Sequence, residues 1–327
     1  MYKLSIVIPV YQAEKYVQQT IENLVAQNND KFEVVLIDDG STDGSIKICS
    51  KYEKKYEFIK LHTQSNRGVS SARNLGIKNS NGEYIMFLDS DDTLVEQGID
   101  KICDIIENNK GIDLVIDGFS YVMDKEVKEV LVDKESGIYN INDISKELYT
   151  WYNSRILHNI GTKIYKKNLI MDNNIKFSEE QSYMEDITFC LKYLNVSNKF
   201  YYLKEPLYNY FVRDNSSLSR GIKCGYYETF IETENQLVKL AKGNERDYSH
   251  IVMDELVNIF VNELKIGKDI NNFICTIKGN DEYKKMYGYS KEGLAFRSRL
   301  ILRVLFMNSL LQSVIVKILC VYGSVIK

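Results

Sequence analysis

Short unbroken apolar runs alternate with stretches of helical spacing from Leu4 to about Tyr121 of this 327-residue chain. Leu4-Ser5-Ile6-Val7-Ile8-Pro9-Val10-Tyr11 predicts a buried strand, broken at Pro9, which has no N–H to give to a ladder. Val17, Ile21, Leu24 and Val25 share one face and predict a helix from about Glu14 to Ala26. A second apolar strand is expected over Phe32 to Ile37, then a turn with Gly40 and Gly44, and a helix capped by Thr42 or Asp43 that runs to about Tyr56. Ile59 to His62 reads as a third strand, and the stretch Asn66 to Ile77 as a loop entering a helix. Tyr84 to Leu88 is a fourth, a helix follows over Ile99 to Asn108, and a strand over Leu114 to Tyr121 completes the series. Strands alternating with helices imply a parallel sheet with right-handed crossovers. Runs this short and this apolar are strands buried on both faces.

Two of these strands end in clustered carboxylates, Asp38-Asp39 and Asp89-Ser90-Asp91-Asp92. A parallel sheet brings both ends to one edge, the edge where open α/β sheets hold ligands. Three aspartates in four residues repel one another unless a cation sits among them, and oxygen ligands suit Mg²⁺ or Mn²⁺ shared with substrate phosphates. An acidic turn that caps the next helix is the alternative.

Composition narrows the class. The chain is 44% apolar, enough for a core, and its length suits two domains. A formal charge of −3 carries no nucleic-acid signature. Six scattered cysteines without a C-x-x-C pair argue against a zinc site or a disulfide framework and fit a reducing cytosol. Met1-Tyr2-Lys3 runs directly into a strand, so no signal peptide is expected and a cytoplasmic location is. Residues 123 to 145 are polar and read as a surface excursion; Trp151, the only tryptophan, reads as core. Tyr227 to Ala241 and Ile251 to Ile266 are expected to be amphipathic helices. Residues 285 to 327 hold seven Lys or Arg against Glu292 alone, with a dense apolar pattern from Leu300 to Ile326. The longest uncharged run, Val304 to Val316, is thirteen residues, short of the roughly 20 that span a bilayer. A basic helix lying on the inner face of an anionic membrane is one expectation, and packing on the protein's own core or in a homodimer is the other.

Four motifs in order resemble the family 2 glycosyltransferases of the GT-A fold. They are Ser5-Ile6-Val7-Ile8-Pro9-Val10-Tyr11, Asp38-Asp39-Gly40-Ser41-Thr42-Asp43, Asn66-Arg67-Gly68 with Ala72-Arg73-Asn74-Leu75-Gly76, and Asp89-Ser90-Asp91-Asp92. The likeness covers residues 1 to 125 closely and extends loosely to about 220. Gln12 stands where the family usually has Asn. The resemblance implies an α/β, GT-A type, Rossmann-like and mostly parallel sheet flanked by helices, followed by an α-helical C-terminal region. The expected domains are a nucleotide-sugar-binding half over 1–125, an acceptor-binding half over 126–222 and a helical region over 223–327.

The family also implies roles. Asp39 should accept the N3–H of uracil, with Pro9, Tyr11 and Glu14 lining base and ribose. Arg73, and less directly Arg67, should meet diphosphate or ribose. In the D-x-D of Asp89, Ser90 and Asp91, Asp91 should touch the metal, Asp89 the ribose or a metal-bound water, and Asp92 should assist either. Glu185-Asp186 at a helix start could simply favour the positive end of the dipole. The resemblance makes Asp186 the general base and Glu185 the group that orients the acceptor. Gly161 to Lys166 should precede the acceptor site, and Pro206 to Ser219 should be a closing strand and loop with Arg213 near phosphate, unless it is a plain surface loop. The implied activity is inverting, Mn²⁺- or Mg²⁺-dependent transfer of a hexosyl or N-acetylhexosaminyl group from a nucleotide sugar, UDP-linked, to a glycan or lipid-linked acceptor of surface polysaccharide. A polyprenyl-phosphate sugar synthase and a non-catalytic sugar-binding scaffold are the alternatives. A dinucleotide oxidoreductase would need G-x-G-x-x-G after the first strand, and a nucleotidyltransferase a Gly-rich phosphate loop; neither is there.

Overall fold

The computed structural model of the chain describes residues 2–27, 30–123, 126–181, 183–213, 226–265, 270–289 and 296–306. Asp124, Lys125, Ser182, Ser216, Ser217 and the apolar run from Met307 onward lie outside the described residues, and with them most of the stretch expected on a membrane or in a dimer. Among the described residues no helix is long and apolar enough to cross a membrane. The chain divides into two compact units, 1–144 with 150–217 and 145–149 with 218–327.

The first unit opens as strand, helix, strand, and so on: β1 (Leu4–Val10), α1 (Val17–Ala26), β2 (Phe32–Asp38), α2 (Ser45–Lys55), β3 (Ile59–Thr63), α3 (Val69–Asn79) and β4 (Tyr84–Phe87). β5 (Thr93–Leu94), α4 (Gly98–Asn108), β6 (Leu114–Met123), β7 (Glu126–Val130) and β8 (Gly137–Asn140) follow. After the short helices α5 (Ile141–Lys146) and α6 (Leu148–Asn153) come β9 (Lys163–Lys166), α7 (Lys167–Asp172), α8 (Glu185–Leu194) and β10 (Lys199–Phe211). The strands form one sheet in the order β3-β2-β1-β4-β9-β6-β10-β5, with β7 beside β6 and β8 beside β10.

β1 runs parallel to both β2 and β4, in register from Leu4 opposite Phe32 to Val10 opposite Asp38 and from Leu4 opposite Tyr84 to Val7 opposite Phe87. All seven residues of β2 and all four of β4 are buried, as two-sided burial requires. The helices that follow these strands cover the faces, and α3 is pressed on β1. A Cβ at Gly76 would come within 2.2 Å of Val7 Cγ1, so only glycine permits that approach.

Three details differ from the pattern reading. β1 continues through Pro9 to Val10; β4 pairs only as far as Val7, so Pro9 has one neighbouring strand and the missing donor costs little. Residues 123 to 145 are not merely a surface excursion, since β7 and β8 extend the sheet antiparallel to β6 and β10. β9 lies between β4 and β6 and runs antiparallel to both, so these two strands point the same way and their carboxyl ends share an edge. Trp151 is fully buried, edge-on to Phe200 and Tyr202 with ring centroids 5.7 and 5.3 Å away.

The second unit is helical: α9 (Tyr226–Ala241), α10 (Glu245–Lys265), α11 (Ile270–Gly279), α12 (Asp281–Tyr289) and α13 (Phe296–Phe306). Its core includes Phe230, Leu237, Ile251, Leu256, Ile259 and Phe260. Glu234 reaches into this core and accepts from Tyr248 Oη at 3.1 Å and Tyr283 Oη at 2.8 Å. Burial raises its carboxyl above the ordinary value against those two bonds.

Candidate active site

The site assembles on the edge where β1, β2 and β4 end. After Phe87 the chain turns sharply, with the Asp92 N–H donating to the Asp89 carbonyl at 3.1 Å. Thr20 of α1 donates to the carbonyls of Ser90 and Asp92 at 3.0 and 2.9 Å, tying the turn to the first helix.

The aspartates of this turn have unlike surroundings. Asp92 is 1% exposed. It accepts Tyr208 Oη at 2.6 Å and the Phe211 N–H at 2.9 Å, both from β10. Burial, with repulsion from Asp89 and Asp91, pushes its carboxyl well above the usual range. Asp92, expected to assist at the metal or the ribose, here ties β10 to the turn through one donor on each oxygen. Asp91 and Asp89 keep 35% and 38% of their side chains exposed. Burial and the neighbouring Asp89 raise the Asp91 carboxyl, and Arg213 opposes them. Arg213 donates to the Asp91 carbonyl at 2.6 Å, lies 3.6 Å from the Asp91 carboxylate and stacks over Tyr16 at 3.9 Å.

The other acidic strand end is organised by hydrogen bonds. Asp39 accepts the N–H groups of Arg67 and Gly68, each at 2.8 Å, and Gln64 Nε2 at 2.7 Å. Its carboxylate therefore shapes the Asn66-Arg67-Gly68 loop. Oδ2 takes one of these three donors, and a carboxylate oxygen has capacity for a second. The Arg67 side chain pairs with Glu179 at 2.7 Å on the surface. Beyond Pro9, Tyr11 is 50% exposed. Glu14 accepts the Gly44 N–H at 2.7 Å. Gln12 has φ 50° and accepts the N–H groups of Thr42 and Asp43 at 3.0 and 3.2 Å, so the two strand-end loops are cross-linked.

Glu185 and Asp186 open α8, where two acids complement the helix dipole. Asp186 accepts from Arg73 Nη1 at 2.5 Å, and Arg73 Nη2 donates to Asp89 Oδ1 at 3.2 Å. Glu185 lies 3.5 Å from the same Nη1. Arg73, expected to meet diphosphate or ribose, is 4% exposed, and its fork faces the carboxylates of Asp186, Glu185 and Asp89. Asp186 retains 26% side-chain exposure. Burial, with Glu185 and Asp89, raises its carboxyl to about 8 against the pull of Arg73 and Lys163.

Tyr208 is the group that sequence pattern alone did not bring forward. It bonds Asp92 and accepts the Asp89 N–H at 3.3 Å, so one phenol sets two of the aspartates. Its ring lies on Gly161, where a Cβ would meet ring atoms at 2.1 to 2.8 Å. Gly161→Ala is expected to cost about 1–3 kcal/mol through overpacking and to loosen the acidic turn. Urea unfolding of the variant measures the first effect, and nucleotide binding the second.

Comparison with known proteins decides the family. The model described as Glycosyl transferase family 2 matches residues 5–170. The chain belongs to that family. Among curated relatives, Poly(ribitol-phosphate) beta-N-acetylglucosaminyltransferase TarS of Staphylococcus aureus (strain MW2) is 32% identical over 86% of this chain and 48% of its own length. Minor teichoic acid biosynthesis protein GgaB of Bacillus subtilis (strain 168) is 29% identical over 75% of this chain and 27% of its own. The chain thus spans about half the length of these relatives, or less. The crystal structure of S. aureus TarS 1-349 in complex with UDP-GlcNAc superposes with a TM-score of 0.73 at 21% identity, covering 93% of this chain and 90% of that one, and the likeness is one of fold.

In this family 2 glycosyltransferase chain the donor set at the turn fits a hard divalent cation. Mg²⁺ and Mn²⁺ take one or two carboxylates and fill the remaining positions with phosphate oxygens and water. Asp91 and Asp89 offer exposed oxygens of that kind. Among the described residues no three acidic, His or Cys side chains form a cage that would hold an ion unaided.

Proposed function

We propose that the protein is an inverting glycosyltransferase that moves a sugar from a UDP-linked donor to a hydroxyl of a glycan or lipid-linked acceptor in the building of surface polysaccharide. One observation carries this reading: a single guanidinium, Arg73, holds a D-x-D carboxylate and the Glu-Asp pair of α8 together at 3.2 and 2.5 Å. A donor-diphosphate site and a base are thereby close enough to act on one sugar. The names of the relatives favour an N-acetylhexosamine and a polymer of the teichoic-acid kind.

Asp39, with Pro9, Tyr11 and Glu14 beside it, takes the uracil and ribose, and Ser90 lies in the turn beneath the diphosphate. Asp91, with Asp89, would hold the metal, which supplies Lewis-acid stabilisation to the departing diphosphate. Asp186 accepts the proton of the acceptor hydroxyl as that oxygen bonds the anomeric carbon from the face opposite the diphosphate. The C–O bond to UDP breaks in the same displacement, the configuration inverts, and the proton stays on Asp186. Glu185 orients the hydroxyl. Residues 1–125 are assigned to the donor, 126–222 to the acceptor, and 223–327 to a separate helical region.

The test is thermal unfolding against a panel of UDP-, GDP- and dTDP-sugars, with and without MnCl₂. A ligand at about 100 times its Kd adds about 2.7 kcal/mol to the folded state, so one UDP-sugar with Mn²⁺ is expected to raise Tm by several degrees. Equal melting with every nucleotide sugar would overturn the reading.

A further inference from the structure

One buried cation joins carboxylates from two distant parts of the first unit. Arg73 projects from α3 to Asp186 and Glu185 on one side and to Asp89 on the other. Its seat is fixed on several sides. The guanidinium lies 5.3 Å from the centroid of Phe177, and Phe177 stacks on Phe189 of α8 at 4.0 Å with an interplanar angle of 6°. The adjacent Asn74 grips the Phe177 main chain with both amide atoms, at 2.9 and 3.0 Å. α3 itself is wedged on β1 at Gly76. Consecutive residues of one helix thus reach both the strand end and the base helix.

A phosphate-binding arginine presents free N–H groups to an open, electropositive space. Here both Nη atoms are engaged by carboxylates, and Nε is enclosed without a partner. Three carboxylates therefore crowd the one guanidinium and take up the faces a phosphate would need. A planar fork does something else well: it fixes two partners relative to each other in distance and direction, which an ammonium on a flexible stem does not.

We propose that Arg73 is a positioning residue, whose fork sets the acceptor-side pair Glu185 and Asp186 at a fixed separation from Asp89 on the donor side. The proposal deepens the reading of Asp186 as base and rests on it. Arg73 touches neither donor nor acceptor; it determines whether the base and the leaving diphosphate stand in line across the sugar.

The experiment compares wild type, Arg73→Lys, Arg73→Gln and Asp186→Asn in the full chain. UDP release from UDP-GlcNAc gives kcat and KM, and calorimetry gives UDP affinity in MnCl₂ and in EDTA. Arg73→Lys keeps the charge that a buried carboxylate cluster needs to fold but loses the fork. Its kcat is expected to fall on the order of 100-fold, the scale of a 1 Å misplacement. KM for UDP-GlcNAc and UDP affinity should stay within about threefold, a small fraction of a strong contact. Arg73→Gln should lose at least as much turnover with the same unchanged affinity. UDP affinity falling in step with turnover would overturn the proposal and make Arg73 a diphosphate ligand; unchanged kcat in Arg73→Lys would overturn it as well. Full turnover in Asp186→Asn would remove the base assignment instead, and the affinity readout for Arg73 would still discriminate.

Discussion

Asp186→Asn is expected to lower transfer by about 10²–10⁴-fold, the usual contribution of a general base, with UDP-sugar affinity nearly unchanged. The amide is close in shape to the carboxylate but accepts no proton at neutral pH. It also leaves Arg73 with Asp89 and Glu185 as partners, so the fold should hold. The pH profile gives a second readout. Burial raises the Asp186 carboxyl to about 8, and a base works only when ionised. The rate should therefore rise with pH up to about 8 and fall by about tenfold for each unit below it. An acidic limb in the ordinary carboxylate range, or full activity in Asp186→Asn, would show that another group takes the proton.

Asp91→Ala is the second large effect. Lewis-acid stabilisation of a leaving diphosphate is worth several kcal/mol, so turnover should drop by about 100-fold or more. Unlike Asp186→Asn, this variant should also lose Mn²⁺-dependent UDP binding in calorimetry. Asp91 is partly exposed and its carboxylate faces Arg213 and solvent, so little stability should go with it. Near-normal turnover with unchanged Mn²⁺ dependence would remove Asp91 from the metal.

Much of the first unit was legible because its strands are short and unmixed. Phe32 to Asp38 and Tyr84 to Phe87 are buried on both faces, and nothing but a sheet interior suits such runs. The acidic residues after them stood out for the same reason, as charge directly behind a core strand. β9 was hidden: Lys163–Lys166 is four residues with lysine at either end. Its place depends on Lys163 being buried, with Nζ donating to the carbonyls of Ile156 and Asn159. β7, Glu-Val-Lys-Glu-Val, is exposed along most of its length and offers no apolar rhythm. The unlike surroundings of Asp89, Asp91 and Asp92 were equally invisible. Three identical side chains differ only in what the fold brings to them, and the partners of Asp92 are 116 and 119 residues further on. Arg73 likewise read as a contact to diphosphate or ribose, and nothing in its own stretch pointed to Asp186, 113 residues away.

The acidic turn after β4 is thus finished from outside its own stretch of chain. Thr20, Tyr208 and Phe211 all converge on the four-residue acidic turn. β10, which carries two of them, lies beside β6, whose first residue is 85 positions earlier than Lys199. During synthesis the amino-terminal third emerges with its motifs complete but Asp92 without its partners from β10. A nascent or truncated chain ending before Tyr208 carries the whole segment that the family model matches, yet leaves Asp92 without its two β10 partners, so the acidic turn is completed only when the sheet is.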